Sequence, residues 1–69
     1  MAYTYKQHAV IFRTVREDAG LTQDKAAALL DISRRYLQYI EAGERVPRID
    51  LASKMADVYG CSFLLFKVE

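Results

Sequence analysis

Apolar residues recur at helical spacing from Lys6 to Ala19, at Ile11, Phe12, Val15 and Ala19, with His8 sharing the stripe in part. This predicts an amphipathic helix, with Val10 off its apolar face. Gly20 supplies a left-handed stop, and Leu21 is the apolar residue that such a stop favours next. A second helix is predicted from Gln23 to Leu30. Thr22 is a good N-cap, Asp24 places an acid where the helix dipole favours one, and Ala26 to Leu30 are strong helix formers. The segment is barely two turns long and needs a neighbour to persist.

Asp31 and Ile32 interrupt the pattern, and Ser33 is a second N-cap. A third helix is predicted from Arg34 to Ala42, with Leu37 and Ile40 on one face, Tyr36 beside them, and Gly43 as its stop. Three residues between two short helices suit a helix-turn-helix crossing of about 90–120°. Glu44 to Pro47 reads as a loop. Leu51, Met55, Val58 and Tyr59 then mark a fourth helix over Ile49 to Tyr59, with Asp50 in its first turn and Gly60 beyond its end. Ser62 caps a last short helix, Phe63 to Phe66. The expected fold is all-α, a bundle of about five short helices, with no internal repeat and no strand-like alternation.

At 69 residues the chain is expected to form one domain over 1–69 with a marginal core, residues 1–5 being an N-terminal arm. Its hydrophobic fraction of 52% is enough for most of that length to fold. One cysteine, Cys61, and one histidine, His8, assemble neither a metal site nor a nucleophile–base pair, so no cofactor is expected and nothing supports an enzyme. No apolar run approaches the roughly 20 residues that cross a bilayer, and the start lacks a signal-peptide layout, which makes a reduced cytoplasm the expected location. The formal net charge of +1 argues against diffuse electrostatic attraction to nucleic acid. Any such binding must rest on local charge. Arg34, Arg35, Arg45 and Arg48 supply it between residues 33 and 48, opposed there only by Glu41 and Glu44.

The run Gly20-Leu21-Thr22-Gln23-Asp24-Lys25-Ala26-Ala27-Ala28-Leu29-Leu30-Asp31-Ile32-Ser33-Arg34-Arg35-Tyr36-Leu37-Gln38-Tyr39-Ile40-Glu41-Ala42-Gly43 resembles the Cro and phage-repressor family of helix-turn-helix domains. The similarity continues through Arg45, Pro47 and the fourth helix to Leu65, covering roughly residues 8 to 66. It implies a lambda-repressor-like fold and a small transcriptional regulator of double-stranded DNA. Physical reasoning agrees that a helix in the major groove should present long polar residues at its start. By the family pattern Ser33, Arg34, Arg35 and Tyr39 match base-facing or groove-lining positions. Gln38 matches a peripheral one, suited equally to a phosphate. Gln23 matches a residue that holds phosphate at a helix N-terminus, and Arg45 and Arg48 match backbone clamps. Arg16 and Glu41 match a structural pair that ties the first helix to the third. The plainer reading of Arg34 and Arg35 is two solvated residues in a first turn, at the unfavourable end of the helix dipole.

Four features depart from the pattern. Asp31 stands where glycine is common, and Arg48 where a capping Ser or Thr is common. His8 replaces an apolar residue. Tyr36 and Tyr39 make the third helix unusually aromatic, one expected to support the scaffold and the other to reach a thymine methyl or a sugar. A competing function is a protein-interaction module that kept the fold and lost DNA, and the near-neutral charge favours it. On the DNA reading, a domain this small is expected to act as a homodimer on a palindromic site with half-sites about 34–36 Å apart. Part of Phe63, Leu64, Leu65, Phe66 and Val68 is expected to form the dimer contact; the alternative is that all five close the monomer core.

Overall fold

The computed structural model describes residues 5–66, and for residues 5–8 and Leu64 the backbone alone. The side chain of His8, residues 1–4 of the arm and Val68 of the expected dimer contact lie outside this description. Four α-helices follow one another, α1 (Tyr5–Asp18), α2 (Gln23–Leu30), α3 (Arg34–Glu41) and α4 (Ile49–Tyr59), and a short 3-10 helix, Phe63–Phe66, closes the chain. Three expected boundaries shift by a residue, the first being the start of α1 at Tyr5 rather than Lys6. Ala19 falls past the end of α1 and is exposed, and Ala42 is the cap of α3 rather than its last turn.

All four helices end in the same way. In each, the residue in the left-handed region and the one after it turn back to hydrogen-bond the last carbonyls: Gly20 N–H donates to Glu17 at 2.9 Å and Leu21 N–H to Arg16 at 3.2 Å. After α2 this position is held by Asp31, at φ 58°, the one described residue other than glycine with positive φ. Aspartate tolerates this conformation better than most side chains. The turn is therefore built on the pattern usual for glycine, with Ile32 N–H reaching Ala27 at 3.0 Å. At the other ends, Thr22 Oγ1 accepts from Lys25 N–H at 3.2 Å and Ser33 Oγ from Tyr36 N–H at 3.0 Å. Arg48 occupies the N-cap of α4 and makes no side-chain cap bond.

The described helices share one core. Leu37 and Ile40 of α3 and Met55 of α4 are its largest fully buried side chains, joined by Phe12, Leu30 and Tyr59. Where α2 meets α4, both helices bury alanines: Ala26 and Ala27 on one, Ala52 and Ala56 on the other. Small side chains let two short helices approach closely. Phe66 belongs to this core too, stacked on Phe12 with ring centroids 4.5 Å apart. Phe63 is half-buried against it. Phe66 and Phe63 are thus engaged within the monomer, and Leu65, 44% exposed, is the tail side chain described as facing outward.

Candidate nucleic-acid interface

The alternation along α3 divides it sharply. Leu37 and Ile40 are fully buried, Tyr36 is half-buried against the core, and Arg34, Arg35, Gln38 and Tyr39 stand in solvent. Tyr36 is therefore the scaffold tyrosine, and Tyr39 the outward one. Ser33 is exposed at the start of the helix, its hydroxyl oxygen engaged as the cap.

A buried ion pair joins this helix to α1. Arg16, near the end of α1, donates from Nε to Glu41 Oε2 at 2.7 Å and from Nη2 to Oε1 at 3.1 Å. Its remaining nitrogen, Nη1, donates to the Leu21 carbonyl at 2.8 Å. The hydrogen bond to Glu41 holds the Arg16 pKa above its usual value, outweighing the opposing effect of burial. One side chain thus links the end of α1, the following turn and the last turn of α3. The structural pair implied by the resemblance is present in the geometry.

Glu41 also accepts from Gln23 Nε2 at 3.2 Å, and Gln23 Oε1 accepts from Gln38 Nε2 at 3.4 Å. Gln23 is thereby held at both ends of its amide. Each of the two glutamines keeps a second amide hydrogen, so the pair offers donors to an anion. An open groove of about 730 Å³ runs beside them between α1, the start of α2 and α3, lined among others by Arg13, Gln23, Asp24, Arg34 and Gln38. Arg34 Nη1 lies 3.5 Å from Asp24 Oδ2 across this groove.

Arg45 follows the stop of α3. Its backbone N–H donates to the Tyr39 carbonyl at 3.2 Å, and its guanidinium sits 5.9 Å from the centre of the Tyr39 ring. Arg48 lies beyond Pro47, exposed at the start of α4. Arg35 and Arg48 make no ion pair among the described residues.

Two groove residues, Arg13 and Asp24, were not singled out for the site by sequence reasoning. Arg13 is three residues before Arg16, which places both on one face of α1, and that spacing was the available signal. It pairs with Glu17 at 3.3 Å in solvent. In the sequence Asp24 reads only as an acid favoured by the helix dipole. Its proximity to Arg34 depends on how α2 and α3 cross, which no spacing within either helix reveals. Elsewhere, burial pushes the Cys61 thiol up, which disfavours the thiolate. Among the described residues no group of three or more His, Cys, Asp and Glu side chains is placed to hold a metal ion, and no helix is long and apolar enough to cross a membrane.

Two short helices joined by a tight turn, the second with one face in the core and a basic, polar face outside, define a helix-turn-helix domain. A family model described as helix-turn-helix, HTH_3, matches residues 12–66, and the chain belongs to that family. Among solved structures it is similar to an HTH_3 family transcriptional regulator from Vibrio cholerae, with 33% identity and a TM-score of 0.78 over 91% of this chain. The chain spans 35% of the length of that regulator. The restriction-modification controller protein C.AhdI from Aeromonas hydrophila shares the fold, with a TM-score of 0.83, 22% identity and 91% coverage of both chains. No curated protein matches the chain.

Proposed function

We propose that the chain is a transcriptional regulator that binds double-stranded DNA sequence-specifically, with α3 in the major groove. Ser33, Arg34, Arg35 and Tyr39 reach base edges in this reading. Gln23, Gln38, Arg45 and Arg48 hold the sugar-phosphate backbone on either side. The observation that carries it is the exposed polar face of α3, held by the Arg16–Glu41 pair beside the donor-bearing start of α2. A single arginine with a bidentate contact to guanine contributes about 1–3 kcal/mol of discrimination, so one copy reads little sequence. Two copies on a palindrome are therefore part of the proposal, with half-sites about 34–36 Å apart. Leu65 is the described tail residue available for contact between them.

The test is selection from a randomised duplex pool, with wild type compared against Arg34→Ala/Arg35→Ala. A palindrome recovered by wild type and relaxed in the variant supports the reading. No enrichment even at low salt favours the interaction-module alternative, which the net charge of +1 keeps in view. A mass in ultracentrifugation that stays monomeric at all concentrations removes the dimer in solution.

A further inference from the structure

We propose that Asp24 is a specificity-determining residue, which buttresses Arg34 and selects the edge of its guanidinium that is left to read a base. The inference rests on the DNA-binding reading above. Asp24 stands in the first turn of α2, and Arg34 is the first residue of α3, so their contact spans the turn between the helices. Oδ2 of Asp24 lies 3.5 Å from Nη1 of Arg34, with the two side chains 72% and 57% exposed respectively. An ion pair this exposed contributes little to folding. Its consequence is geometric.

Arginine carries five N–H donors in a planar fork, and guanine O6 and N7 are matched by two of them in parallel. A free Arg34 would offer either edge of its fork to bases and phosphates alike. Nη1 lies on the Asp24 side at ion-pair distance, which leaves the Nε–Nη2 edge without a charged partner among the described residues. That is the edge with which Arg16 grips the two oxygens of Glu41 in this same molecule. Asp24 thus converts a mobile cation into an oriented two-donor reader. It also places a carboxylate in the groove beside Gln23, which lowers the attraction of the groove for phosphate whatever the base sequence. The other charges lining the groove are Arg13, engaged by Glu17, and the mutually paired Arg16 and Glu41. Asp24 is the acid there that faces the reading helix from α2.

The experiment is the same duplex selection, performed on wild type, Asp24→Ala, Arg34→Ala and the double variant, with thermal melting of each. Asp24→Ala is expected to bind random duplex about two- to fivefold more tightly at low salt. It should also lose about tenfold of the preference at the base pair that Arg34→Ala relaxes. In the Arg34→Ala background, removing Asp24 should change that preference by less than about twofold, because the two residues act as one unit. Asp24→Asn, which removes the charge and keeps an acceptor at the helix start, should fall between. An unchanged preference in Asp24→Ala overturns the inference. So does an equal loss with and without Arg34, which would assign the effect to the stability of α2. If wild type enriches no sequence, the DNA reading itself fails, and the inference falls with it.

Discussion

Arg16 and Glu41, 25 positions apart in the chain, meet through two hydrogen bonds of 2.7 and 3.1 Å, with side chains only 8% and 4% exposed. Removing two charges from water is costly, and their mutual attraction offsets that cost only when the geometry is good and the remaining donors are satisfied. Both conditions hold here, since Leu21 takes the third guanidinium nitrogen and Gln23 shares the carboxylate. α3 is therefore joined to α1 by a pair in which the loss of either partner alone leaves a buried charge uncompensated.

Glu41→Ala and Arg16→Ala should each destabilise the protein by about 3–5 kcal/mol, because each leaves a buried charge without its partner. The double replacement Arg16→Met/Glu41→Leu should cost much less than the sum of the two single changes. Urea unfolding of the four proteins checks this. Single-variant losses below about 1 kcal/mol would mean that the pair behaves as an exposed one.

Tyr59 sits 6% exposed in the core, and its hydroxyl finds no hydrogen-bond partner among the described residues. Burial first, and then the nearby Glu41 carboxylate, raise its pKa from 10.0 to about 12. For an acid whose folded pKa lies above its unfolded value, the stabilising contribution is complete below the unfolded value. It is lost as pH rises towards the folded one, here between pH 10.0 and about 12. Tyr59→Phe should remove this alkaline decline. At neutral pH it should leave stability unchanged or raise it by up to about 1 kcal/mol, since it deletes an unsatisfied buried group. Unfolding free energies of both proteins across that pH range give the answer.

Asp31 carries a left-handed backbone, φ 58°, and an acidic charge at the C-terminal end of α2. Both are unfavourable for a residue other than glycine, and the charge opposes the helix dipole. Asp31→Gly should stabilise the fold by about 0.5–1 kcal/mol, and Asp31→Val should destabilise it by more than that. Thermal melts that rank the three proteins in any other order would show that the turn is not strained.

Arg48 offers a trade between folding and binding. Its side chain caps nothing, so Arg48→Ser should supply the missing acceptor at the start of α4 and add about 1 kcal/mol of stability. If Arg48 clamps the DNA backbone, the same change should weaken binding about evenly across sequences and lower the salt slope by about one unit. Melting temperature and binding titrations at several salt concentrations separate the two effects.

Much of the architecture is legible along the chain because its signals are local. Thr22 and Ser33 announce helix starts, Gly20, Gly43 and Gly60 announce ends, and the spacing of Leu37 with Ile40, or of Leu51 with Met55, selects the buried face. The division of labour between Tyr36 and Tyr39 was not legible. Both lie near the edge of the apolar stripe of α3, and only the position of the neighbouring helices decides which ring is covered. The tail behaved likewise. Phe66 and Leu65 are adjacent apolar residues, yet one stacks on Phe12 and the other faces solvent.

Helix positions to within a residue, the caps and stops, and the concentration of arginines between residues 33 and 48 follow from the order of residues alone, since each depends on neighbours within a turn or two. The Arg16–Glu41–Gln23–Gln38 network, the contact of Asp24 with Arg34 and the burial of Tyr59 join residues from different helices. They exist only once the crossing of α1, α2 and α3 has been settled by the shared apolar core, and packing of that kind leaves no periodic trace in a single chain.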